Sequence, residues 1–240
     1  MNANVDIEER KPIWIVLSEF YLNPQNHLIL KQFKMIDKFL KAKHWQLFTL
    51  MFGIPIIAQI LIMGTMFLNI STETNPDPTE IFNLLKFFPI IMILYMGVFF
   101  GWFWSVAMGL QNKIPENIRM KTKKFKLFFF IPLIYLLCFS LFFGGIFNEN
   151  LLTGTQPGGW FVGGMFGIIF PLHILSMFCI FYAMYFVAKT IKTVELQKEV
   201  NFGEFAGEFF MIWFYFVGIW ILQPKINKMV EVKNIKTSND

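Results

Sequence analysis

Residues 84–110 read LLKFFPIIMILYMGVFFGWFWSVAMGL, a stretch whose one charged side chain is Lys86. A helix needs about 20 apolar residues to cross the hydrocarbon core of a bilayer, and this stretch is long enough. Three further stretches meet the same requirement: Gln46 to Ile70, Leu127 to Phe147 and Trp160 to Ala188. The sequence therefore predicts an all-α integral membrane protein built on a four-helix transmembrane bundle.

The composition excludes a soluble protein. Hydrophobic residues make up 55% of the chain and charged residues 15%, whereas soluble domains carry about 25% charge. The heavy use of Phe, Ile, Lys and Asn is typical of an AT-rich bacterial gene, which favours a bacterial inner membrane.

Basic residues predict the orientation. They precede the first span and fill the loop between the second and third spans: Lys31, Lys34, Lys38, Lys41 and Lys43, then Lys113, Arg119, Lys121, Lys123, Lys124 and Lys126. The other two loops hold no base apart from Lys86 near the second span. Because cytoplasmic loops collect Lys and Arg, this alternation predicts a cytoplasmic N-terminus.

A fifth apolar run, Phe209 to Leu222, is only 14 residues long, and lysines flank it on both sides. We expect it to lie in the cytoplasmic leaflet or to be re-entrant, and to end at Gln223-Pro224; a fifth crossing is the alternative. These features divide the chain into a basic amphipathic arm (1–45), the four-helix region (46–188), a connector with the fifth segment (189–223) and a polar basic tail (224–240).

Two further patterns concern helix packing. Similar Pro-containing stretches recur at offsets of 77 to 82 residues, which suggests a tandem two-helix repeat. The arm presents apolar residues at helical spacing, so it either rests on the inner leaflet or packs on the chain's own loops. Small residues spaced by four form two stripes that allow close helix approach: Gly97, Gly101, Ser105 and Gly109, then Gly159, Gly163 and Gly167.

Polar residues within apolar stretches are candidates for ligand or ion binding, because their burial in a membrane is costly. His173 either binds a ligand or proton, or bonds a carbonyl freed by Pro171. Gln59 is expected to bond across a helix pair. Glu204 and Glu208 lie one helical turn apart, and either bind a cation or act as acids near a helix N-terminus.

The sequence contains no catalytic constellation, and we predict no metal and no cofactor. We expect a non-enzymatic subunit or accessory protein that binds another membrane component, such as a membrane-protein partner or a second copy, with no nucleic acid. The alternative is a small oligomeric transporter or channel that uses His173 and the Glu204/Glu208 pair. A membrane enzyme acting on a lipid is a third possibility.

Overall fold

The computed structural model describes residues 24–72, 88–149 and 159–236. All the regular structure in these ranges is helical. Four helical stretches are long and apolar enough to cross a membrane: His44–Leu68, Pro89–Lys113, Thr122–Phe142 and Phe166–Leu196. The prediction of an all-α fold with four candidate spans is confirmed.

The arm forms α1 (Pro24–Lys41). The first candidate span lies in α2 (His44–Phe48), a π-helical segment (Thr49–Gly53) and α3 (Ile54–Thr72). The other three candidate spans are formed mainly by α4 (Phe88–Gly109), α5 (Thr122–Glu149) and α6 (Gly159–Leu196). Two further helices follow, α7 (Phe202–Trp213) and α8 (Tyr215–Lys236).

The arm lies in the groove formed by the small residues of α4. Ile36 and Leu40 of α1 are buried, and each would lie 2.6 Å from a Cβ atom placed on Gly109. The ring of Phe39 covers Gly101 in the same way, at 2.7 Å. The helix that fills this stripe therefore belongs to the same chain. The arm's contact with a lipid surface stays a prediction.

Ser105, in the same stripe, is fully buried, and its hydroxyl donates to the Gly101 carbonyl oxygen at 2.7 Å. Three other glycines of the two stripes have open space around them. Added Cβ atoms at Gly97, Gly163 and Gly167 would meet no neighbouring atom within 4 Å. Gly159 is the first residue of α6, and its packing lies outside what the structure describes. A packing role for these glycines stays a prediction.

Gln197 ends α6 and ties it to the end of α4. Its φ of 52° lies in the left-handed region, which few residues other than glycine adopt. Its Nε2 donates to the carbonyl oxygens of Val194 (2.7 Å) and Lys113 (3.1 Å). The ends of α4 and α6 and the start of α5 therefore lie together, and we call this the basic end of the bundle.

The fifth apolar run is not one helix. Phe214 has φ −91° and ψ 54°, outside the helical region, and the chain reverses there between α7 and α8. The two helices run antiparallel, since Glu208 of α7 pairs with Lys225 of α8 at 2.8 Å and Met211 faces Gly218.

The tip of this α7–α8 hairpin lies inside the bundle. The Tyr215 ring centroid is 5.1 Å from Trp102 and 6.0 Å from Phe99, both on α4. The open end of the hairpin lies at the basic end, where Lys113 Nζ donates to the Met229 carbonyl oxygen. The hairpin therefore enters and leaves the bundle at the same end.

Two predicted boundaries are wrong. The helix of the fourth span continues past Ala188 to Leu196, and α8 runs through Gln223-Pro224 to Lys236, so the predicted tail is largely helical. The helix continues past the proline because tertiary contacts hold both of its flanks. Gln223 and Ile226 are both fully buried on either side of Pro224.

Burial is uneven along the spans. The core gathers around the basic end and the hairpin, with Trp102, Phe125, Ile191 and Phe205 among its fully buried residues. In the most apolar part of the first candidate span, 11% of the residues are buried inside the protein. The corresponding share in the second candidate span is 44%. Among the described elements, α3 packs on the π-helical segment before it and otherwise makes isolated contacts. The two predicted repeat units thus pack differently, and the repeat itself stays a prediction.

Gly218 provides a test of the hairpin. A Cβ atom at this position would overlap the Met211 carbonyl oxygen, which is backbone and cannot rotate away. We expect Gly218→Ala to lower the free energy of unfolding in detergent by about 1–3 kcal/mol, the usual cost of overpacking. Gly207→Ala is the matched control, because its added Cβ would meet nothing within 4 Å. Equal thermal stability of the two variants would contradict the close approach.

Candidate functional site

His173 lies on α6 and faces α5. Its side chain is exposed, and its Nδ1 is 3.3 Å from the Tyr135 hydroxyl oxygen, with the two rings edge to face. The contact described for the imidazole is therefore a side chain on the neighbouring helix, and not a carbonyl freed by Pro171. A ligand role for His173 stays a prediction.

Glu204 is part of the helix cap of α7. Its Oε2 accepts a hydrogen bond from the Asn201 backbone N–H at 2.8 Å, which closes a capping box, and its Oε1 pairs with Lys198 at 2.6 Å. These hydrogen bonds, that from Lys198 first and that from Asn201 second, hold the pKa of the Glu204 carboxyl below its usual value. This geometry is that of an acid at a helix N-terminus.

Glu208 belongs to a closed ring of four charges that joins three helices. Lys192 and Glu195 come from α6, Glu208 from α7 and Lys225 from α8. Each ammonium contacts both carboxylates: Lys192 at 2.9 Å from Glu195 and 3.2 Å from Glu208, Lys225 at 2.6 Å and 2.8 Å. Two positive and two negative charges make the ring neutral.

The ring stabilises the ionised form of Glu208. Its side chain is 8% exposed, and this burial raises the carboxyl pKa. Hydrogen bonds from Lys225 and Lys192 act in the opposite direction and prevail, so the pKa of Glu208 lies below its usual value. Both ammonium groups contact the same oxygen of Glu208, Oε1, so the charge of this carboxylate is already paired.

The structure does not bring the predicted polar residues together. His173 lies 19 residues before Lys192 on the same helix, a separation of about 28 Å along the axis. Glu204 and Glu208 contact different lysines. These residues therefore do not form one common site.

Gln59 is exposed on α3. The expected bond across a helix pair is not present among the described residues, where its side-chain amide has no hydrogen-bond partner. The physical reason is that, among the described helices, α3 has only isolated contacts with the other candidate spans. The amide lies in the middle of an apolar helix, and no described residue bonds it.

A buried amide that sequence analysis treated as a helix terminator, Gln223, links three parts of the chain. Its Oε1 accepts a hydrogen bond from Trp102 Nε1 at 2.7 Å, and its Nε2 donates to the carbonyl oxygens of Phe39, Leu40 and Ala42 at 2.9–3.2 Å. Because the last carbonyl groups of a helix have no partner within it, Gln223 caps the end of α1. The signal available in the sequence was an amide within an apolar run.

Among the residues that the structure describes, no three His, Cys, Asp or Glu side chains are grouped closely enough to hold a metal ion. Comparison with family models, with curated proteins and with solved structures gives no match to this chain.

The four-charge ring predicts how stability depends on pH. Because the pKa of Glu208 is lower in the folded protein than in the unfolded chain, its contribution is fully present above the usual glutamate pKa of about 4.3. It is lost as the pH falls through the lowered value. We expect the thermal unfolding temperature in detergent to fall between about pH 5 and pH 3, and to fall less in Glu208→Gln.

Glu116→Gln is the control for this measurement. Glu116 is exposed and has no ion pair among the described residues, so this variant should keep the wild-type pH dependence. If Glu208→Gln also keeps the wild-type dependence, the ring does not stabilise the fold through Glu208.

Proposed function

We propose that this chain is a non-enzymatic subunit or accessory protein of a bacterial inner membrane, and that it binds another membrane protein through α3. The observation that carries the proposal is the exposed amide of Gln59, which has no hydrogen-bond partner in the described part of the chain and lies on a helix with few contacts to the described bundle.

The surface of α3 is apolar around most of its circumference. Ile56, Ile60, Leu61 and Phe67 are each more than half exposed. Lipid tails can cover these side chains, but they offer no hydrogen bond to Gln59. An amide left without a partner in hydrocarbon costs several kcal/mol. A partner helix that presents a hydroxyl, amide or carbonyl group at this depth would remove that cost.

The hydroxyl of Thr65 shows what a satisfied polar group on the same helix looks like. Its Oγ1 donates to the carbonyl oxygens of Leu61 and Ile62, at 3.1 Å and 2.9 Å. It therefore needs no partner from another helix. Gln59, with a longer side chain and two donor hydrogens, has no such contact.

For the topology we propose a cytoplasmic N-terminus, four crossings, and a re-entrant α7–α8 hairpin. The lysine distribution supports the orientation. The hairpin tip contacts Trp102 and Phe99, which lie 11 and 14 residues before Lys113, or about 15–20 Å from the basic end. That depth is about half of a 30 Å hydrocarbon core. The chain would then end on the cytoplasmic side.

The transporter or channel alternative has less support. It needs His173, Glu204 and Glu208 along a path for an ion or substrate. Glu204 is engaged in a helix cap and Glu208 in a neutral ring, and both are remote from His173.

Gentle native extraction and mass measurement of the intact complex test the proposal. We expect the wild type to retain a stoichiometric membrane-protein partner. Gln59→Leu should weaken that association about threefold to twentyfold, the range for one hydrogen bond between membrane helices of about 0.6–1.7 kcal/mol.

Thr65→Val is the matched control, since it removes a polar group that bonds its own helix, and it should leave the complex intact. A wild-type chain that is monomeric, or a Gln59→Leu complex as stable as the wild type, would contradict the proposal. A homo-oligomer would favour the alternative.

A further inference from the structure

A cavity of about 470 Å³ opens at the basic end, between the α4–α5 connection and the last turns of α6. Its lining includes Arg119, Lys121 and Lys124 from the α4–α5 connection and the start of α5, and Tyr182, Tyr185 and Lys189 from α6. Neither the proposed partner contact on α3 nor the four-charge ring uses any of these residues.

The cavity carries an excess of positive charge. Glu199 is the one carboxylate in its lining, and it pairs with Lys189 at 3.5 Å. Within the described part of the chain, Arg119, Lys121 and Lys124 have no ion-pair partner. Four cations against one carboxylate leave three positive charges uncompensated, and these favour an anionic ligand.

Aromatic contacts hold the opposite wall in place. Tyr185 is edge to face with Phe205 at 5.1 Å and stacks on Phe202 at 6.3 Å, so α7 supports it from behind. The Tyr182 ring is 4.7 Å from Phe128 on α5. Tyrosine suits a position where one end of the ring is apolar and its hydroxyl reaches a polar group.

Apolar surface continues from the cavity towards the middle of the spans. Leu127 lies one turn beyond Lys124 on α5 and is 61% exposed; Phe178 lies one turn beyond Tyr182 on α6 and is 69% exposed. Residues three or four apart share a helix face. A ligand with a charged head in the cavity would therefore find an apolar track for a tail.

We propose that this cavity binds the phosphate headgroup of an anionic phospholipid, whose acyl chains lie against Leu127 and Phe178. Basic pockets between membrane helices on the cytoplasmic side suit such headgroups, and the guanidinium of Arg119 can form two parallel hydrogen bonds to a phosphate. The inference rests on the proposed topology, which puts the basic end at the cytoplasmic surface, but not on the proposed partner.

If the basic residues served only to orient the protein in the membrane, removing any two of them would affect lipid binding equally. Two basic residues outside the cavity therefore provide the control. Lys123 and Lys126 belong to the same basic stretch, yet neither lines the cavity, and Lys126 lies 6.0 Å from the Trp104 ring centroid. Arg119→Gln/Lys124→Gln and Lys123→Gln/Lys126→Gln remove the same net charge from exposed positions. Both variants should keep the wild-type unfolding temperature.

The experiment is native mass spectrometry of the full chain in detergent, titrated separately with dioleoylphosphatidylglycerol, dioleoylphosphatidylcholine and glycerol 3-phosphate. We expect retention of phosphatidylglycerol in clear preference to phosphatidylcholine. Arg119→Gln/Lys124→Gln should weaken the binding of phosphatidylglycerol about tenfold or more, because each basic residue near an anionic surface contributes about 1 kcal/mol of attraction. Lys123→Gln/Lys126→Gln should change it by no more than about twofold.

Three outcomes would overturn the proposal. Equal loss in the two variants would show general charge attraction in place of a site. Equal binding of phosphatidylcholine would show that the headgroup charge is not recognised. Glycerol 3-phosphate binding as strongly as the lipid would assign the cavity to a soluble phosphate compound. None of these results would bear on the partner contact at Gln59.

Discussion

The carbonyl groups at the end of α1 are buried or part-buried, and they need hydrogen-bond donors because they have no partner within the helix. Gln223 supplies that donor from α8 and, through its oxygen, also binds Trp102 of α4. Asn227, one turn further along α8, adds bonds to Leu40 and Ala42 at 3.0 Å and 3.2 Å. A single buried amide and its neighbour thereby hold the arm, the second span and the hairpin together. This connection places the arm in the α4 groove. It also places the open end of the hairpin at the basic end.

The spans were predictable because a long, nearly uncharged run such as residues 84–110 is stable in few environments other than a bilayer. The shortness of the fifth run and the lysines on both of its flanks also indicated a segment that does not simply cross. What the sequence could not provide was the break at Phe214. The break depends on a close approach between Met211 and Gly218, and only the folded hairpin brings these residues together.

The environments of the polar residues also could not be predicted from the sequence alone. Gln59 and Gln223 are both amides in apolar surroundings, and sequence alone assigned a helix contact to the first and a helix end to the second. The structure reverses the two: Gln223 is fully buried and bonded, and Gln59 is exposed without a partner among the described residues. Likewise, the helical spacing of Glu204 and Glu208 was visible, but the lysines that neutralise Glu208 come from α6 and α8. Tertiary packing, which local pattern does not encode, decides these environments.

The arm and α8 meet at one end of the bundle, and we propose that this end lies on one side of the membrane. The direct test is labelling of single cysteines at Lys34→Cys and Lys228→Cys with a membrane-impermeant maleimide, in sealed vesicles of known orientation and with Cys138 and Cys179 replaced. Both native lysines are exposed. We expect both positions to react only when the cytoplasmic face is outward. Reaction of the two positions from opposite faces would show that the fifth segment crosses the membrane, and would contradict the proposed topology.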